Sequence, residues 1–201
     1  LTGNQGTIVK TNESTGYRAQ IEGAFTKIER NTTENTWKFT DKTGIIFEFG
    51  SKVDGYTSNT KSKILNPNLT GQDFDLTFRW YVTKVTDTNG NYMDIVYGYD
   101  SESERYVSSI RYTGNANNAP FREISFEYLN REPALNDLKA GFNIKTTRLL
   151  SKIYYKLDVT PINSPGNPQD WLGDVGEVDV SPFDVKPAIG ELELDMADVY
   201  N

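Results

Sequence analysis

The chain has 201 residues, 36% of them hydrophobic and 12% aromatic, a formal charge of −7, and neither cysteine nor histidine. Lacking both, it can hold no disulfide, no thiolate nucleophile, no Ser-His or Cys-His pair and no thiolate or imidazole metal site. Residues 161–201 contain nine acids and one base, Lys186. The rest is close to neutral and has no basic stripe, which argues against nucleic acid as a partner.

A chain of this length can bury about 70% of its unfolded surface, and the prior is one domain with an appendage. No run of residues is long enough to span a membrane, and no signal peptide is legible. The start at Leu1 rather than Met reads as a processed or excised piece. Cysteine-free composition suits exported bacterial proteins and cytosolic ones alike.

In chain order, residues 1–16 are rich in Gly, Thr and Asn and read as an irregular lead-in. Tyr17, Ala19 and Ile21 then alternate, and the run Phe25–Arg30 continues the pattern. Trp37–Thr40 and Ile45–Phe49 form the next pair, with Ile45, Phe47 and Phe49 on one face. Residues 51–73 are polar, contain Asn66-Pro67 and read as a long loop. Phe78, Trp80 and Val82 share a face of the following strand, and Met93, Ile95, Tyr97 and Tyr99 share one of the strand after it. Tyr106, Ser108, Ile110 and Tyr112 oppose Arg105, Val107, Ser109 and Arg111. After a loop at Asn115–Pro120, Ile124, Phe126 and Tyr128 alternate with Glu123, Ser125 and Glu127, which places Glu on a wet face. Ala134–Ala140 allows one helical turn. A last strand spans Arg148–Leu157, with Leu149, Ile153, Tyr155 and Leu157 inward.

Two connections carry explicit turn chemistry, Asp41-Lys42-Thr43-Gly44 and Asp87-Thr88-Asn89-Gly90. Asp in first position accepts N–H groups further along, and Gly in fourth position tolerates the left-handed conformation of a bulged hairpin. Tyr97-Gly98-Tyr99-Asp100 ends a strand on another turn-forming Asp. Asp87, Asn89 and Asn91 alternate as calcium ligands would. A calcium loop, however, needs its Gly in sixth place and a late bidentate Glu, so hairpin chemistry is the better reading. Closely spaced alternating strands without a long amphipathic helix predict an all-β antiparallel fold joined by hairpins: a sheet, sandwich or partial β-shell with little helix. The predicted division is a β domain over 1–160 and an acidic tail or linker over 161–201, which holds five of the eight prolines.

The order of these elements resembles the N-terminal region of SpvB-type proteins and the B component of insecticidal Tc toxins, related to the Rhs/YD-repeat proteins. The resembling elements are Trp37-x-x-Thr-Asp-x-x-Gly-x-x-Phe-x-Phe-Gly50 and Trp80-Tyr-Val-Thr-Lys-Val-Thr-Asp-x-Asn-Gly-Asn91. They continue through Tyr97-Gly-Tyr-Asp100, Ile110-Arg-Tyr-Thr113, Ile124-x-Phe-x-Tyr128 and Arg148-Leu-Leu-x-Lys-Ile153, so the likeness runs from residue 17 to residue 157. It implies a scaffold segment of a large secreted or surface bacterial protein, which encloses or carries a separate toxin and has no catalysis of its own. Its partners would be other domains of the same polypeptide or other toxin-complex subunits. The ADP-ribosyltransferase activity of some relatives belongs to another domain. The end, Asp195-Met-Ala-Asp198, lacks the Asp-x-Asn-x-Asp-Gly of the propeller repeats that often follow.

No catalytic, cofactor or metal residue is assigned from the sequence. Glu123 and Glu127 lie about 13 Å apart by strand rise, too far for a glycosidase pair, and exposed Glu is the rule. Asp195 and Asp198 read as surface charges. Trp37 and Trp80 read as core, and Trp171 beside Leu172 as an anchor for the tail. Coplanar exposed aromatics would instead mark the alternative, a carbohydrate-binding or adhesive β module. A third reading, a carboxylate hydrolase, needs a cleft with two acids. Asn12, Asn31 and Asn68 fit the glycosylation acceptor pattern, which in a bacterial protein means only polar turns.

Overall fold

The computed structural model describes residues 2–3, 6–12, 16–53, 60–71, 76–98, 104–156 and 191–193. Alternating residues give antiparallel β structure almost throughout. The strands are β1 (Thr2–Gly3), β2 (Gly6–Lys10), β3 (Gly16–Ala19), β4 (Lys27–Asn31), β5 (Thr36–Thr40) and β6 (Ile46–Phe49). A 3-10 turn, Thr60–Ser62, precedes β7 (Lys63–Leu65) and β8 (Thr77–Trp80). Then come β9 (Val82–Thr86), β10 (Tyr92–Gly98), β11 (Tyr106–Gly114), β12 (Arg122–Asp137), β13 (Ile144–Lys156) and β14 (Glu191–Glu193). A 12-stranded sheet takes them in chain order, except that β6 lies beside β9 while β7 and β8 pair separately as a 2-stranded sheet.

The two Asp-x-x-Gly segments fold as their chemistry requires. Gly44 N–H donates to Asp41 O (3.0 Å) and Gly90 N–H to Asp87 O (3.1 Å). Asp41 Oδ1 accepts from the N–H groups of Thr43 (2.8 Å) and Ile45 (3.0 Å); Asp87 Oδ1 accepts from those of Asn89 and Asn91, each at 2.8 Å. Gly44 and Gly90 have φ of 89° and 81°, the left-handed region that a side chain strains. Because β6 pairs with β9, the two turns are neighbours: a Cβ on Gly44 would stand 2.9 Å from Thr88 Cγ2.

Period-two patterning gives the large sheet an apolar face. Ile28, Phe39, Phe47, Val85 and Met93 are successive cross-strand partners, and so are Ile95, Ile110, Ile124 and Tyr155. The small sheet joins the body at two places. Trp80 of β8 meets Trp37 edge-on at 6.0 Å. On the other side Ile64 of β7 is buried with Phe142 and Ile144, from the end of the β12–β13 hairpin. Phe78 packs edge-on against Phe142 at 5.6 Å.

Several expectations are corrected. The lead-in is not irregular, since β1 and β2 lie within 1–16 and extend the sheet. The long loop of 51–73 contains the 3-10 turn and β7, whose Lys63 and Ile64 are buried. Ile21 lies beyond the end of β3 and is exposed, and Phe25, exposed with φ of 53°, precedes β4 rather than opening it. Phe78, Trp80 and Val82 do not share one strand, because the chain changes sheets at Tyr81. Ala134–Ala140 makes no helical turn: β12 runs to Asp137, and Gly141 N–H donates to Leu138 O to close the hairpin. The last long strand starts at Ile144, four residues before Arg148. Glu123 is buried rather than wet, because Arg111 lies opposite it. Tyr99, Asp100, Leu157, Pro161, Trp171, Asp195 and Asp198 lie outside the described residues; of 161–201, Glu191–Glu193 are described, as a strand on the edge of β13.

Candidate functional site

A cluster of polar and aromatic side chains lies where the small sheet meets the large one. Arg30 of β4 and Trp37 of β5 are cross-strand partners on the apolar face. The Arg30 guanidinium lies 4.7 Å from the Trp37 ring centroid and 4.9 Å from that of Trp80. Its Nη1 donates to Thr36 O (3.2 Å) and its Nη2 to Asn35 Oδ1 (2.5 Å). Burial draws its pKa below the ordinary arginine value, and the ring faces and carbonyl-type oxygens offset that cost. Asn35, held at φ of 56°, also accepts Trp80 Nε1–H at its backbone O (3.1 Å), while its Nδ2 donates to Thr77 Oγ1 (2.8 Å). The Trp37 indole N–H has no acceptor among the described residues, so the ring is placed by packing. Trp37 is core as expected, and Trp80 is half-buried. The cluster is a joint between sheets.

Glu123 and Glu127 do not form a pair. Glu123 Oε2 meets Arg111 Nε at 3.1 Å, its Oε1 lies 3.6 Å from Lys156 Nζ, and Ser125 Oγ donates to Oε1 at 2.8 Å. Glu127 is exposed, and its Oε2 accepts the Tyr154 hydroxyl proton at 2.7 Å. At Asp87, Oδ2 accepts from Asn91 Nδ2 (2.8 Å), so the calcium-like triplet is bonded together as a turn. Tyr97, whose hydroxyl donates to Val82 O at 2.8 Å, is pushed up to about 12 by burial. Sequence reasoning missed the buried Asp94, Arg111 and Glu123 because polar residues on alternate positions look like a solvent face. The one available signal was that acids and bases recur at matching strand positions.

A second feature is the β12–β13 hairpin. Its strands are 16 and 13 residues long, and its pairing is interrupted between Asn130 and Leu135. Leu129, Leu135 and Leu138 stand in solvent.

The family profile SpvB, described as Salmonella virulence plasmid 65kDa B protein, matches residues 2–131. No curated protein matches the chain. Among solved structures, the N-terminal domain of effector protein SpvB from Salmonella typhimurium strain LT2 is similar over 77% of this chain and 65% of that one, at 14% identity and a TM-score of 0.54. TcdB2-TccC3-Cdc42 is similar over 77% of this chain but 10% of its own, at 16% identity and a TM-score of 0.52. For the Photorhabdus luminescens Tc holotoxin pore the shares are 70% and 8%, at 18% identity and a TM-score of 0.52. At these identities the likeness is one of fold.

Proposed function

This chain belongs to the SpvB family, and from that premise we propose that it is a structural β-scaffold segment of a large secreted or surface toxin-complex-type protein, without catalysis of its own. It works by packing against other domains of its polypeptide or against other toxin subunits. The observation that carries this reading is the size relation: 77% of this chain is similar in fold to only a tenth of the TcdB2-TccC3-Cdc42 chain. A segment occupying that share of a larger chain has neighbours on several sides. The β12–β13 hairpin, with Leu129, Leu135 and Leu138 exposed, supplies a surface for such a neighbour, and the short edge strand β14 leaves room for further pairing. Residues 161–201, acidic and rich in proline, gain order in this reading by lying along the β body.

Amide exchange on the chain alone and on the longer polypeptide that contains it tests the proposal. Protection of residues 129–149 should rise in the longer polypeptide. A glycan array and a hydrolase panel run on the chain alone test the competing readings. A specific glycan or substrate hit abolished by changing one exposed aromatic or one carboxylate, with no gain in protection, sinks the scaffold assignment.

A further inference from the structure

The face of the large sheet opposite its apolar rows carries one straight row of charge. Glu29 of β4 lies opposite Lys38 of β5, Lys38 opposite Glu48 of β6, and Glu48 opposite Lys84 of β9. The row goes on without a gap: Lys84 opposite Asp94 of β10, Asp94 opposite Arg111 of β11, Arg111 opposite Glu123 of β12, and Glu123 opposite Lys156 of β13. The sign changes at every step across eight adjacent strands. Cross-strand partners project to the same side of a sheet and are its closest side-chain neighbours.

The row is deepest at its centre. Asp94, Arg111 and Glu123 are 2%, 6% and 4% exposed. Lys84 Nζ lies 3.9 Å from Asp94 Oδ1, and Arg111 Nε lies 3.1 Å from Glu123 Oε2. Burying such pairs contributes little to stability compared with apolar residues of the same volume, whereas separating them leaves charges buried and uncompensated. The arrangement therefore discriminates between pairings far more than it stabilises any one of them.

The apolar face cannot discriminate in this way. If β12 slid by two residues along β11, Ile110 would meet Phe126 and Tyr112 would meet Ile124, again an apolar face. On the other side Arg111 would meet Ser125, and Glu123 would meet Thr113. Turn geometry does not forbid the slip either. The tight Asp41 and Asp87 turns set the register of β5–β6 and β9–β10. The β11–β12 connection, residues 115–121, is long, and β6 and β9 are separated by the whole small sheet. The most buried members of the row sit in β10, β11 and β12, on both sides of the long β11–β12 connection.

We propose that the alternating row is a register lock, which selects the native pairing of β11 and β12 over the slip of two residues that keeps apolar side chains opposite one another.

The absence of native cysteine makes register directly readable by disulfide cross-linking. Ser109→Cys with Ser125→Cys reports the native register, in which the two are partners. Ser109→Cys with Glu127→Cys reports the slipped one. With the row intact, only the first pair should cross-link. In an Arg111→Met, Glu123→Gln background the ratio of slipped to native cross-link should rise about tenfold, as loss of a buried pair's discrimination implies. Arg111→Lys should keep the native pattern. Exchange of the pair, Arg111→Glu with Glu123→Arg, should fail to restore it, because each charge would then face its own sign at Asp94 and Lys156. A neutral background that cross-links only in the native register, or an exchange that restores it, overturns the proposal. Should circular dichroism show the neutral variant unfolded, Glu123→Gln alone, which leaves Arg111 a hydrogen-bonding partner, decides instead: a several-fold rise in slipped cross-link supports the lock, and no rise overturns it.

Discussion

The turn end of the sheet and the β12–β13 hairpin are both antiparallel connections, yet their geometry has different origins. At the turn end, Asp41 and Asp87 each organise a connection through their own neighbours in sequence. The long hairpin is instead held from outside: Phe142 and Ile144 at its end are buried against Ile64, a residue of the inserted small sheet. Local chemistry is enough for a short hairpin, whereas strands of 16 and 13 residues need tertiary contacts along their length. β11 provides them over the first part of β12 and the small sheet at the hairpin end, and the small sheet is anchored to the rest of the body through Trp37, Arg30 and Trp80.

The largest way to break this comparison is at that anchor. Trp37→Ala removes the ring that carries Arg30 and Trp80, and should cost about 3–5 kcal/mol in chemical denaturation. It should also lower exchange protection in β7, β8 and the hairpin end while sparing the Asp87 turn. A loss confined to β4 and β5 would show that the small sheet is held by something else.

The two turns sharpen the comparison at lower cost. Gly90→Ala puts a side chain into the left-handed region with nothing within 4 Å of the new Cβ, so only strain of about 1–2 kcal/mol is expected. Gly44→Ala adds the 2.9 Å approach to Thr88 Cγ2 and should cost about 0.5 kcal/mol more, as a displaced rotamer does. Thr88→Ser should recover that excess. Equal losses for the two glycines would mean that the turns do not touch.

Acid titration reaches a smaller term. Hydrogen bonds from the Thr43 side chain and then from backbone N–H groups hold the Asp41 carboxyl below the usual range. The Asn91 side chain and the local backbone do the same for Asp87. A depressed folded-state pKa contributes stability that is fully present above the unfolded value, about 3.9, and is lost as pH falls through the folded-state value. Asp41→Asn with Asp87→Asn should flatten the fall of stability below about pH 4, and an unchanged slope would exclude the turns as its source. Smallest of all, Leu135→Lys should shift stability by less than about 0.5 kcal/mol in the isolated chain, since its side chain is exposed.

The sequence alone determined the fold class, both Asp-x-x-Gly hairpins and the apolar positions of most strands. Each of these follows from side-chain alternation or from bonds spanning four residues, and so needs no knowledge of what lies opposite. The SpvB-type resemblance was legible for the same reason, as it rests on the order of those local elements. Tertiary structure decided the rest. Tyr81 ends one sheet and leads into another although nothing in Phe78–Val82 breaks the alternation; Lys63 and Ile64 pair with Trp80 and Arg79 across a segment read as loop. Glu123 looked solvent-facing because its neighbours alternate with it, but whether a carboxylate in such a position meets water or Arg111 depends on the register of the next strand. Register couples residues as far apart as Glu29 and Lys156, and its energy comes from pairs that exist only once eight strands have been laid side by side.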